Sequence, residues 1–187
     1  MASLSESASP PAQELRLLRS LPHDAFLLPM ASDMSSLTFG GEEKFDAAPE
    51  RVFELLTDLD QLSAAIPDLV SADKIDARTL QCVVRPGFSF LRGTLRVTIV
   101  LGEIDRPASA AMHVAARGIG TQIGVESHIR IAADSTGSKL SWTAEVVELK
   151  GLAATVGRSL ISAAAQQVIQ TAWQQVRDRL NQTDADS

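Results

Sequence analysis

The chain contains no tyrosine and one cysteine, and aromatic residues make up only 4% of its 187 positions. With Cys82 alone there is no internal disulfide, and no CxxC or Cys/His cluster offers a metal site, so an intracellular setting is the default expectation. Without tyrosine, a common polar handle of ligand pockets is missing. Positive charge is short as well: 17 Lys and Arg against 23 Asp and Glu leave a net charge of −6. That balance excludes nucleic acid, which needs a basic footprint, and a purely electrostatic hold on an anionic membrane. No apolar run approaches the roughly 18 residues of a membrane span, and no positive start with an apolar core marks a signal peptide. What remains is a globular composition, 45% hydrophobic and 21% charged, sufficient for one domain with a sizeable core.

Residues 1–35 read as a mobile extension. MASLSESASPPAQ is rich in Ser, Pro and Ala and cannot build a core. Leu15, Leu17, Leu18 and Leu21 with Arg16 and Arg19 would suit a membrane-touching amphipathic segment, but Pro22 cuts it short of a stable helix. Because regular patterning starts just after Met34, translation from Met30 or Met34 is a further reading. From Ser36 the pattern is periodic. Residues 37–46 form a strand, and two short helices follow, with Pro49 at a first helical position and Pro67 ending the second. Strand-like segments then recur near 68–76, 79–87, 93–104, 110–119, 122–132 and 139–149, separated by turn signals such as Pro86-Gly87 and Arg106-Pro107. One helix, Gly151 to Leu180, closes the domain, and residues 182–187 form a tail. The order is an α+β arrangement.

That closing helix would run about 45 Å. Its apolar ladder Leu152, Val156, Leu160, Ala164, Val168, Ala172, Val176 and Leu180 is thin, because five of its eight residues are Ala or Val. A thin face leaves space beneath it. Within the strands, Gly120 suits a type II′ hairpin that places Gly118 opposite Ile123, Val114 opposite Ser127 and His113 opposite His128. Apolar residues of both strands then share one face, while His113, Arg117, Glu126, His128 and Arg130 share the other. Leu140, Trp142, Ala144 and Val146 continue the inward set, as do Leu95, Val97, Ile99 and Leu101.

Four stretches carry a resemblance: FGGEEKFDAAPERVFELLTDLDQLSAAIP, FLRGTLRV, ARGIGTQIGVESHIRI and GLAATVGRSLISAAAQQVIQTAWQQV. Residues 36–181 resemble the carbon monoxide dehydrogenase G-subunit family, within the START and Bet v 1-like (SRPBCC) helix-grip superfamily. The resemblance implies a seven-stranded antiparallel sheet curved round the C-terminal helix, with a hydrophobic cavity between them. It further implies a non-catalytic accessory role beside a molybdenum-containing carbon monoxide dehydrogenase, through membrane recruitment or binding of a quinone-like lipid.

The expected cavity lining is Phe53, Leu56 and Ile66 from the short helices, Val97, Ile99, Val125 and Trp142 from the sheet, and Leu152, Val156 and Leu160 from the long helix. Such a lining suits an apolar ligand, and no cofactor is expected. Strand parity carries Glu148 inward, where burial would raise its pKa and let it orient a ligand or act as the acid–base of a polyketide cyclase-like enzyme. The alternative is a strand end that turns Glu148 to water or to Lys150 or Arg158. Ser127, also inward, would hydrogen-bond a ligand carbonyl. His113, His128 and Glu126 make a conceivable metal set, but their face reads as solvated. Cys82 has core parity and is expected to be inert. Phe88 to Leu91 read as a hairpin tip that plugs the entrance, touches a membrane or partner, or folds back onto the helix. Three functions stand side by side: a hydrophobic-ligand module, a cyclase-like enzyme, and a pure interaction protein. The expected location is the cytoplasm, with peripheral contact at the inner face of the membrane.

Overall fold

The computed structural model describes residues 37–87 and 92–185. The N-terminal extension with its leucine–arginine segment, the alternative starts and the Phe88–Leu91 tip lie outside these residues. Strand β1 (Thr38–Phe45) leads into helices α1 (Pro49–Thr57) and α2 (Leu59–Ser63). Pro49 supplies the first turn of α1, where its missing N–H costs nothing. Asp58 caps α2 by accepting the backbone N–H groups of Asp60 and Gln61 at 2.9 and 3.0 Å. Six strands follow: β2 (Leu69–Lys74), β3 (Thr79–Val84), β4 (Leu95–Asp105), β5 (Ser109–Gly118), β6 (Thr121–Asp134) and β7 (Gly137–Gly151). They form one antiparallel sheet in the order β1-β7-β6-β5-β4-β3-β2. The chain closes with α3 (Leu152–Thr155) and α4 (Arg158–Ala185).

Two features of register differ from expectation. The β5–β6 turn is Ile119-Gly120, with φ of 55° and 65°, as in a type I′ turn whose twist matches its strands. Gly118 therefore pairs with Thr121, Val114 with Val125 and His113 with Glu126. The slip is two residues, so each side chain keeps its face. The second feature is a β-bulge on β7. Val125 pairs with Val146 but the adjoining Gly124 pairs with Glu148, leaving Val147 as the extra residue. A bulge reverses the alternation beyond it.

The closing helix is two helices. Gly157, at φ 80°, separates α3 from α4, and α4 runs to Ala185, past the expected end. The start of α3 is fixed to the β5–β6 turn. Leu152 donates its N–H to the Gly120 carbonyl at 2.9 Å, and Ala153 donates to the buried Thr121 Oγ1 at 3.2 Å. The expected apolar ladder is also out of phase. Steps of four residues advance about 40° beyond a full turn, so Leu160 and Leu180 sit roughly 200° apart around the axis. Val176 and Leu180 are buried, whereas Leu160 is 40% and Val168 43% exposed. The inner stripe instead runs through the half-buried Ile161, Ala165, Ile169 and Trp173.

Two apolar clusters fill the interior. One joins Phe45, Val52, Phe53, Leu55, Leu56, Ile131, Leu140, Val176 and Leu180, with Trp142 and Trp173 against it. The other sits under α2 and holds Leu59, Leu62, Leu80, Cys82, Ile99 and Leu101. Burial pushes the Cys82 thiol up in pKa, which keeps it protonated and unreactive.

Two glycines of this region should respond differently to alanine. At Gly151 (φ 71°) a Cβ would collide with the Gly120 carbonyl oxygen, whereas at Gly157 (φ 80°) it would meet nothing within 4 Å. Gly151→Ala should lose about 3 kcal/mol and Gly157→Ala about 1 kcal/mol in urea unfolding. Equal losses would mean that α3 is not held to the turn.

Candidate functional site

The candidate site is the half-buried part of the sheet's inner face outside the two core clusters. Val97 on β4, Val114 and Ala116 on β5, Ile123 and Val125 on β6, and Ala144 and Val146 on β7 share this face, and all are half-buried. Their cross-strand pairs Val97–Ala116, Ala116–Ile123, Val114–Val125 and Val125–Val146 form a continuous apolar floor. The first half of α4 carries the half-buried Ile161, Ala164 and Ala165, while Leu160 and Val168 are 40% and 43% exposed. The floor is therefore an apolar groove, and its closed end is the cluster around Trp142 and Trp173.

The expected lining residues separate into groups. Phe53 and Leu56 are 2% and 6% exposed and belong to the closed core. Ile99 belongs to the second cluster, with Ile66 and Val97 against its edge. Val97, Val125 and Trp142 lie on the groove face, Trp142 at its closed end. Val156 is half-buried at the α3–α4 break. Leu152 is 54% exposed beside Gly120, and Leu160 points away because of the helix phase. Ser127 keeps the inward parity, but its hydroxyl donates to the Met112 carbonyl at 3.2 Å.

Glu148 is a correction. Parity carries it inward from Leu140, but the bulge at Val147 reverses the alternation before Glu148 is reached. A Cβ on Gly124 would lie 3.1 Å from the Glu148 Cβ and 3.4 Å from a Val147 methyl, so both side chains share the outer face with that position. There Glu148 accepts hydrogen bonds from Lys150 Nζ and Gln122 Nε2, each at 2.6 Å. The Lys150 ammonium first, and the Gln122 amide next, hold its carboxyl below the ordinary carboxylate range. A buried acid with a raised pKa is not what this geometry provides. The histidine pair is a second correction: His113 lies opposite Glu126, and His128 opposite Ala111 and Thr143. Among the described residues no group of three or more metal-binding side chains gathers.

The inner charged group is Glu43, which is absent from the expected lining. It shares the inward parity of Phe45 on β1, its side chain is 17% exposed, and it pairs with Arg177 of α4. Arg177 also lies over the Phe45 ring, 5.8 Å from its centroid. The signal is present in Phe39-x-Gly41-x-Glu43-x-Phe45, an alternation whose charged member matches an arginine four residues after Trp173. Trp173 packs against Phe45 and Trp142 at centroid distances of 6.3 and 5.9 Å. Trp142 Nε1 is buried without a hydrogen-bond partner among the described residues, an omission that costs about 1–3 kcal/mol.

A separate cavity of about 210 Å³ lies between Pro67, Asp68, Gly87, Gln167, Val168 and Thr171. It is smaller than the roughly 300 Å³ at which drug-sized ligand sites begin, and none of the expected lining residues borders it.

A family model described as the carbon monoxide dehydrogenase G subunit (CoxG) matches residues 41–181. A conserved protein from Geobacillus kaustophilus superposes with a TM-score of 0.73 at 19% identity, covering 79% of this chain and 97% of its own. A START superfamily protein from Mycobacterium smegmatis gives 0.59 at 12% identity, over 79% and 98%. Ara h 8.0201 gives 0.61 at 15% identity, over 79% and 99%. At these identities the structures establish the shared fold, the helix-grip of START and Bet v 1-like proteins. No curated protein matches the sequence.

Glu148 sets a pH test. A depressed carboxyl pKa contributes stability above the unfolded value near 4.5, and that contribution is lost as pH falls through the folded pKa. Glu148→Gln should flatten the stability decline below pH 4.5 in urea titrations while leaving affinity for an apolar ligand within about twofold. A large loss of affinity would return Glu148 to the site.

Proposed function

Since the chain belongs to the carbon monoxide dehydrogenase G-subunit (CoxG) family, we propose that it is a non-catalytic accessory protein that binds one hydrophobic molecule, quinone- or lipid-like. The observation that carries this reading is the groove floor. A run of Val, Ala and Ile side chains on four adjacent strands of the inner face is left only half-buried. Apolar surface in water is unfavourable by about 25 cal/mol for each Å², so a molecule that covers this floor is bound by the same force that built the core. Val97, Val125 and Trp142 are the expected lining residues that would meet it, with Val156 at the open end.

The enzyme served would be a molybdenum hydroxylase of the carbon monoxide dehydrogenase type. The protein would act in the cytoplasm and visit the inner face of the membrane to collect or deliver its ligand. No described helix is long and apolar enough to cross a membrane. The cyclase-like alternative loses its acid–base candidate, because Glu148 is engaged on the outer face.

Native mass spectrometry of protein purified from its own host should show a bound hydrophobic molecule, and repeated absence of any adduct would sink the reading. Ala116→Trp places a large side chain on the groove floor, at a position that belongs to neither core cluster. It should reduce ligand occupancy at least about tenfold and shift the melting temperature by less than about 3 °C. Full occupancy in that variant would place the ligand elsewhere.

A further inference from the structure

At the end of the sheet that holds the β5–β6 turn, one row crosses four strands. Arg96 of β4, Arg117 of β5, Gln122 of β6 and Lys150 of β7 are successive cross-strand partners. The row lies on the outer face, and its three charged members are exposed. Arg85 and Arg92, also exposed, flank the β3–β4 connection at the same end. The acids here are Asp68 and Glu148, and Glu148 is already engaged by Lys150 and Gln122. None of the ion pairs among the described residues takes Arg96 or Arg117. Like charges directly opposite each other on adjacent strands are unfavourable, and an anion from outside offsets that cost. In a chain of net charge −6, this end of the sheet has the reverse sign.

Apolar side chains accompany the cations. Leu152 is tied to the β5–β6 turn through the Gly120 carbonyl and is 54% exposed. Ile119 sits in that turn, and a Cβ on Gly93 would meet its side chain at 3.3 Å, so the start of β4 adjoins the turn. On the inner face the neighbouring row is Val97, Ala116, Ile123 and Leu149. A single residue step, about 3.4 Å along each strand, separates the basic row from the groove floor. Cations, an exposed leucine and the open end of the groove thus share one end of the domain.

We propose that this end docks on an anionic lipid bilayer. Arg96, Arg117 and Lys150 meet headgroup phosphates, Leu152 enters the acyl boundary, and the groove opens toward the lipid. An acidic protein would also neutralise the row. The choice of a bilayer rests on the reading that the groove at this same end takes a lipid-like molecule.

The test floats the full chain with vesicles of phosphatidylglycerol and phosphatidylcholine, and with phosphatidylcholine alone. Wild-type protein should partition to the anionic vesicles at least about tenfold more strongly, and the excess should fade as salt rises from about 0.05 to about 0.5 M. Arg96→Glu/Arg117→Glu should abolish the excess, and Leu152→Ser should weaken binding about threefold with the salt dependence kept. Arg16→Glu/Arg19→Glu, in the N-terminal extension, should change it less than about twofold. The salt titration of wild-type protein does not depend on the folding of any variant. Equal partition to both vesicle types, or a loss confined to the N-terminal variant, would overturn the docking face. So would a loss in Ala116→Trp with Arg96→Glu/Arg117→Glu unaffected, a result that leaves the groove reading standing. Vesicle binding that follows the basic row in protein whose native mass spectra show no hydrophobic adduct would support the docking face and remove the groove reading.

Discussion

The groove depends on where α4 is held. Its contacts with the sheet gather in the second half, where Arg177 pairs with Glu43 and lies over Phe45, Trp173 wedges between Phe45 and Trp142, and Val176 and Leu180 enter the core. A pair with one side chain 17% and the other 38% exposed falls between the surface case, worth about 0–1 kcal/mol, and the buried case, where loss of one partner costs about 3–5 kcal/mol. The rings around it add burial that a lone ion pair lacks. The other end is fixed through α3 at Gly120 and Thr121. Between these supports, early α4 turns Ile161, Ala165 and Ile169 inward, and the sheet's inner face at Val97, Val114, Ala116, Val125 and Val146 stays half-buried.

The bulge on β7 has an equally wide reach. One extra residue at Val147 turns Glu148 and Lys150 to the outer face together with Gln122. It returns Leu149 to the side of Ile123 and delivers Gly151 to the close approach that starts α3. Without it a carboxylate would sit at the rim of an apolar surface, where burying it unpaired is strongly unfavourable. That single insertion keeps Glu148 off the inner face at this end of β7.

The elements and faces are legible in the sequence because a period of two survives any even slip. The β5–β6 register expected from the turn is off by two residues, and still Ala116, Val114 and Val125 fall on the correct side. What cannot be read are events that break a period once. The bulge at Val147 lies in an uninterrupted strand-like stretch with no glycine or proline at that point. The α4 phase is hard to assign because a strict four-residue ladder looks helical over two turns and drifts off the face over five. Gly157 gives a local signal for the helix break, but one glycine in a long helical pattern is weak evidence. For the site, Val97, Val125 and Trp142 are placed by parity alone. Phe53, Leu56 and Ile99 go to the closed core, since parity tells which side a residue faces and says nothing about what stands above it.

With two tryptophans and no tyrosine in the whole chain, nearly all ultraviolet absorption of this protein at about 280 nm comes from Trp142 and Trp173. Their ring centroids are 5.9 Å apart, close enough for the two chromophores to couple and to exchange excitation. The protein thus concentrates its optical signal at one point, the closed end of the groove, where strand, helix and any bound molecule meet. Its intrinsic emission and near-ultraviolet dichroism report on that point rather than on an average over the fold.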